Sequence, residues 1–260
     1  MDALTLGFIV FSALFGGAAF AIWIARYLPS HHLSSRSQDS VKLGVGMIAA
    51  MASLVLGLMT ASVSGNFSNA SKDVSSYALN LLSLDTDMRH IQPQSCPAQT
   101  LLADYIRSVL HETWTTTADL PEKRNPASSG QILLRLDSMV HDWQVTTPDQ
   151  SAVRANVQAG LRTVLTSRWT VSQDSAAAIP TAFVVVLVAW LALIFVSFGL
   201  YSPSNAVVMG SLFLCALSIA GALFLISEMS GPFDGLVSIS PQPMVNILKV
   251  IETQGCAGAS

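Results

Sequence analysis

Four stretches of this chain are apolar for about twenty residues each. They run from Leu4 to Leu28, Leu43 to Val63, Ile179 to Leu200 and Ala206 to Ser227, and Arg26 is the sole Asp, Glu, Lys or Arg inside them. At 1.5 Å per residue, about twenty helical residues cross about 30 Å of hydrocarbon. No water reaches a peptide group in that medium, so a spanning segment must satisfy its own backbone, which a helix does. Charged residues make up 11% of the chain, against about 25% in soluble domains. The first stretch follows Asp2 instead of a basic leader, and it exceeds the roughly 7–15 apolar residues of a signal peptide, which predicts a retained span.

The expected fold class is an all-α integral membrane protein with four transmembrane helices in two hairpins and an extramembrane helical bundle inserted between them. Spans are expected over 1–28, 43–63, 179–200 and 206–228, a basic loop over 29–42, the bundle over 64–178, and an interfacial turn and tail over 229–260. Only YSPSN separates the last two spans; Pro203 cannot continue a helix, and Asn205 suits the N-cap of the next.

Residues 64–178 are polar but patterned. Val74, Tyr77, Leu81, Leu84 and Met88 step by three and four, as do Leu102, Tyr105 and Val109. Ile132, Leu136, Met139 and Trp143 form a third stripe, and Val153, Val157, Leu161 and Val164 a fourth. This is helical periodicity. Breakers separate the stripes at Gln92-Pro93 to Pro97, Pro121 to Gly130, and Thr147-Pro148.

Two clues bear on orientation. Arg26, Arg36 and Lys42 mark the first loop as cytoplasmic, which puts the bundle in the periplasm, although Lys72, Arg162 and Arg168 nearly balance them on the other side. Cys96 and Cys256 lie outside the membrane on one side and form a candidate disulfide if that side is oxidising. Two of three cysteines sharing a side also arises by chance as readily.

The patterns of catalysis are missing. There is no HExxH, GxSxG, Walker loop or paired CxxC. His90, His111 and His141 sit on separate helices, and His31-His32 read as a solvated turn. No enzyme activity, cofactor or metal is expected, and without a Lys/Arg cluster no nucleic-acid partner. Charge-free spans also argue against a proton relay made of the chain's own side chains.

The second span instead carries small residues at a period of four, Ala49, Ser53, Gly57 and Ala61, with Thr60 beside them. Such a stripe lets helices of one chain approach closely. The alternative is that it lines a conduit in an oligomer, with Met51, Leu54 and Leu58 as a dewetting gate.

The last span ends in SEMSGPFDGLVSISPQP. Pro232 stops the helix, Asp234-Gly235 closes a turn, and Phe233 suits the headgroup level. The following helix has Met244, Ile247, Leu248 and Ile251 on one side, as an interfacial anchor does. The order of features resembles the C-terminal signature of the bestrophin-like family of bacterial membrane proteins. That family ends its last span in Phe-Leu-Ile-x-Glu-Leu, then Pro-Phe-x-Gly-Leu-Ile and Ser-x-x-Pro. Phe224, Leu225, Ile226, Glu228, Pro232, Phe233, Gly235, Leu236, Ser240 and Pro243 fit that pattern, while Met229 and Ser230 depart from it.

The resemblance implies a bacterial inner-membrane protein distantly similar to bestrophins, which are pentameric anion channels with a two-hairpin layout. It implies a homo-oligomer in the lipid bilayer that passes small ions. Bestrophins keep the long segment in the cytosol, opposite to the side favoured by charge and cysteine. No aromatic neck or acidic calcium clasp is recognisable here, so those roles do not carry over. The expected function is an oligomeric ion channel, anion-conducting by resemblance, with its pore near the second span. Glu228, Pro232, Phe233, Asp234 and Gly235 are expected to form a structural latch at the exit turn. The alternative is a membrane-anchored sensor or scaffold whose bundle binds a partner or an envelope component.

Overall fold

The computed structural model describes residues 3–27, 35–114, 120, 127–174, 181–203, 205–233 and 235–256. Among them are eight helices and no strand: α1 (Ala3–Ala25), α2 (Ser35–Arg89), α3 (Cys96–Thr113), α4 (Ser129–His141), α5 (Pro148–Asp174), α6 (Thr181–Tyr201), α7 (Ala206–Met229) and α8 (Gln242–Gln254). Of these, α1, α2, α6 and α7 are long and apolar enough to cross a membrane. The chain divides into two compact units, Met1–Asn66 with Ala178–Ser230, and Phe67–Ala177 with Gly231–Ser260.

In the first unit α1 packs along both α6 and α7. Its buried positions Val10, Leu14, Ala18, Ala21 and Ile22 meet Leu187, Leu191 and Ile194 of α6 and Leu212, Ala216, Ala220 and Leu223 of α7 in one core. Lipid tails are as apolar as these side chains, so close van der Waals contact holds the helices together, and small residues permit it. A β-carbon on Gly199 would strike the Ala18 carbonyl oxygen and lie 2.9 Å from the Ala21 β-carbon. Phe11, Phe15 and Phe213 interlock beside this seam, Phe213 edge-on to the other two at 5.3 and 5.5 Å. Asn205 caps α7, its side chain accepting from the Val208 amide at 2.8 Å.

The second unit is built from the C-terminal part of α2 with α3, α4, α5 and α8. Val74, Tyr77, Leu81, Leu84 and Met88 of α2 are all buried, with Leu102, Tyr105, Val109, Ile132, Leu136, Val157, Leu161 and Val164. Pro97 opens α3, a Ser128–Gln131 capping box opens α4, and Pro148 opens α5. The helical stripes thus lie on helices, with Trp143 just past the end of α4; residues 121–126 of the second breaker lie outside the described residues.

Two expectations need correction. The loop assigned to 29–42 is helical from Ser35 onward. The SRSQDS run is polar but carries no Gly or Pro to stop a helix. His31 and His32 lie outside the described residues. The tail, moreover, is no interfacial anchor. Met244, Ile247, Leu248 and Ile251 are buried in the bundle core, and α8 packs on α3. Phe233, expected at headgroup level, is buried in the same core. An amphipathic helix buries its apolar side wherever apolar surface is offered, and here the bundle offers it.

Candidate functional site

The wide exposed surface of α2 is the first candidate. Ser53, Gly57, Thr60 and Ala61 are exposed in the single chain and Ala49 is half-buried. No atom comes within 4 Å of where a β-carbon on Gly57 would lie. The helix packs on its own chain through Ala52, Met59 and Val63 instead. At about 100° per residue, these positions divide α2 into three faces roughly 120° apart. Ala52, Met59 and Val63 form the packed face. Ser53, Gly57, Thr60 and Ser64 form a small, hydroxyl-bearing face, and Met47, Met51, Leu54 and Leu58 an exposed apolar one. Met51, Leu54 and Leu58 therefore lie on the face next to Ser53 and Gly57, with Ala61 between Gly57 and Leu54 around the helix. The close packing that small residues permit falls elsewhere, at Gly199 against Ala18 and Ala21.

The exit turn is the second. The Ile239 amide donates to the Pro232 carbonyl at 2.7 Å and closes it. Gly235 holds φ at 94°, a left-handed conformation costly to residues with a β-carbon. Phe233 meets Trp114 edge to face at 5.5 Å, and the Trp114 indole N–H donates to the Ile239 carbonyl at 2.6 Å. Glu228 is half-buried at the end of α7 in the first unit, whereas Phe233 and Gly235 belong to the second. Asp234 lies outside the described residues. Gly235→Ala is expected to lower bundle stability by about 1–2 kcal/mol, read as an earlier urea midpoint at unchanged slope.

Next to the turn in sequence, α8 is held at three points, the candidate Cys96–Cys256 pair and two arginine contacts that sequence patterns do not reveal. Cys96 and Cys256 are joined, with their α-carbons 5.6 Å apart. The buried Arg107 guanidinium donates to Asp104 at 2.7 Å and also to Glu252. Arg89 donates to Asp85 at 2.7 Å and to the Gln254 carbonyl at 2.8 Å. A buried cation is tolerated when paired in this way. Partners such as Arg107 and Glu252 are 145 residues apart in the chain, and no local spacing foretells them.

Inside the bundle the Tyr77 and Tyr105 hydroxyls lie 2.5 Å apart. Burial pushes the Tyr105 phenol above its ordinary value. Beside Tyr77, Glu112 accepts from the Ser129 amide at 2.8 Å and from its hydroxyl, and stands 4.0 Å from the Arg168 guanidinium. Among the described residues no three His, Cys, Asp or Glu side chains converge as metal ligands would. His90, His111 and His141 stay apart. A groove of about 800 Å³ between α4 and α5 exposes Leu134, Leu165 and Trp169.

Comparison with known proteins places this arrangement. The family model of the bestrophin-like domain matches residues 12–244. A variant of a bacterial bestrophin homologue from Klebsiella pneumoniae superposes with a TM-score of 0.67 at 15% identity, covering 97% of this chain and 96% of that one. A second structure of a Klebsiella pneumoniae bestrophin homologue gives 0.62 at 16% identity, over 92% of this chain and 94% of that one. A membrane-protein variant gives 0.64 at 15% identity, over 94% and 95%. At these identities the likeness is one of fold. No curated protein sequence matches the chain. An all-α fold with four membrane-length helices, matched by the family model over most of its length, makes the chain a multi-pass membrane protein that belongs to the bestrophin-like family.

Proposed function

We propose that the protein is a subunit of a homo-oligomeric ion channel, anion-conducting, in which the hydroxyl face of α2 looks onto the conduit. The observation that carries this is the three-way division of α2. One face serves the chain itself, and the two others are left to surroundings of opposite character. The apolar ladder of Met47, Met51, Leu54 and Leu58 suits lipid or a neighbouring copy, while Ser53, Thr60 and Ser64 suit water and ions. Membership of the bestrophin-like family and the fold shared with bacterial bestrophin homologues support conduction by several assembled copies. Five copies is the number that likeness to bestrophins suggests. The span holds neither acidic nor basic side chains, and the choice of anions rests on the likeness to bestrophins. The bundle faces the oxidising side of the inner membrane, a reading supported by the Cys96–Cys256 pair.

Purified protein in planar bilayers is expected to give unitary currents. Under a KCl gradient their reversal potential should move toward that of chloride. Gly57→Leu should cut unitary conductance about tenfold or more by narrowing a lined conduit, with the oligomer intact, while Met51→Ala leaves it near wild type. Silence across salts, pH and voltage, or equal effects of the two substitutions, would refute this assignment.

The groove between α4 and α5 favours a second reading, a scaffold whose bundle seats a partner, because Trp169 stands 63% exposed in it. Trp169→Gln should then abolish partner capture and spare any current.

A further inference from the structure

Where α1 ends and α6 gives way to the connection to α7, the first unit has a recess of about 430 Å³. Its floor is apolar, from Ile22 and Leu200, and its rim carries Arg26, Gln38, Tyr201 and Ser202. Among the described residues Arg26 is the sole charged group in this lining. It forms no ion pair among them; the nearest carboxylate in sequence, Asp39, lies outside the lining, exposed and turned about 100° round α2 from Gln38. The recess thus offers one guanidinium, an amide and two hydroxyls to a ligand, with apolar surface directly beneath.

The depth of the recess is marked by aromatic side chains. Phe20, Trp23 and Tyr27 are exposed along the last turns of α1 and contact one another in sequence, with centroids 6.0 and 5.2 Å apart. Exposed Trp and Tyr at the end of a span sit at the level of lipid headgroups. Arg26 follows Trp23 in the same turn, which puts its guanidinium at the headgroup level. A phosphodiester suits a guanidinium and hydroxyls, through short charge-assisted hydrogen bonds. The apolar floor then selects the source, because a free phosphate would leave Ile22 and Leu200 wet, whereas a lipid covers them with its first acyl methylenes.

We infer that this recess is a binding site for the headgroup of an anionic phospholipid, with Arg26 on the phosphate and Gln38, Tyr201 and Ser202 around it. The site is separate from the α2 face and does not depend on conduction. The full chain, purified in a neutral detergent, is compared with and without added phosphatidylglycerol, phosphatidylcholine or inorganic phosphate, by melting temperature and by native mass spectrometry. Phosphatidylglycerol is expected to raise the melting temperature and to stay bound, about fivefold more strongly than to Arg26→Gln, as loss of one headgroup cation implies. Lys42→Gln, a cation outside the recess, should behave as wild type. Three results would each overturn the assignment: equal protection by phosphatidylcholine, undiminished lipid retention in Arg26→Gln, or the same shift from inorganic phosphate alone.

Discussion

Gly199→Leu is expected to unfold the membrane unit at markedly lower temperature than wild type, with a loss of more than about 3 kcal/mol. The reason is the nature of the obstruction. At Gly199 a β-carbon would run into a backbone oxygen, that of Ala18, with the Ala21 β-carbon 2.9 Å away. Neither atom is the end of a flexible side chain, so relief requires α1 and α6 to move apart along a seam that holds both. Even Gly199→Ala should cost about 2 kcal/mol. Gly16 is the control, since nothing lies within 4 Å of its β-carbon position. Gly16→Leu should melt as wild type in detergent. Equal damage at the two sites would show that the seam is not what holds the unit together.

The second large effect is expected from Cys256→Ser. The bridge to Cys96 spans 160 residues of chain, and removal of a disulfide closing so long a loop costs about 2–5 kcal/mol. It ties the end of α8 to the start of α3, beside the Arg107–Glu252 and Arg89–Gln254 contacts. Losing it should free α8 first, so limited proteolysis should cut near the end of α8 before the rest of the bundle. Reductant should give wild type the same behaviour and leave Cys256→Ser unchanged. A wild-type protein indifferent to reductant would sink both this expectation and the placement of the bundle on the oxidising side.

The parts of the fold legible in the sequence are those set by one physical rule acting locally. Val74, Tyr77, Leu81, Leu84 and Met88 reveal a buried helix face because burial imposes the helical repeat. The membrane helices are legible because hydrocarbon excludes charge over a fixed thickness. What periodicity does not carry is the identity of the opposing surface. Met244, Ile247, Leu248 and Ile251 announce an apolar face, and the same four residues would serve a lipid interface or a protein core equally well. Ala49, Ser53, Gly57 and Ala61 announce small residues, and only the packing of Ala52, Met59 and Val63 decides that Ser53, Gly57 and Ala61 turn away from their own chain while Ala49 packs against it. Gly199 was hidden in a span without any pattern to mark it, since close approach depends on Ala18 and Ala21, far away along the chain.

The placement of α8 bears on how the protein is made. Met244 to Ile251 leave the ribosome after the last membrane helix, yet they fill the interior enclosed by α3 and its neighbours. Throughout synthesis and insertion the bundle therefore waits with one wall missing, the Gln99 and Arg107 side of α3 without its cover. A nascent chain in that state is prone to aggregation and degradation. The core closes only once α8 has been made, so a chain that stalls before Gln242 is expected to be cleared faster than one that includes α8.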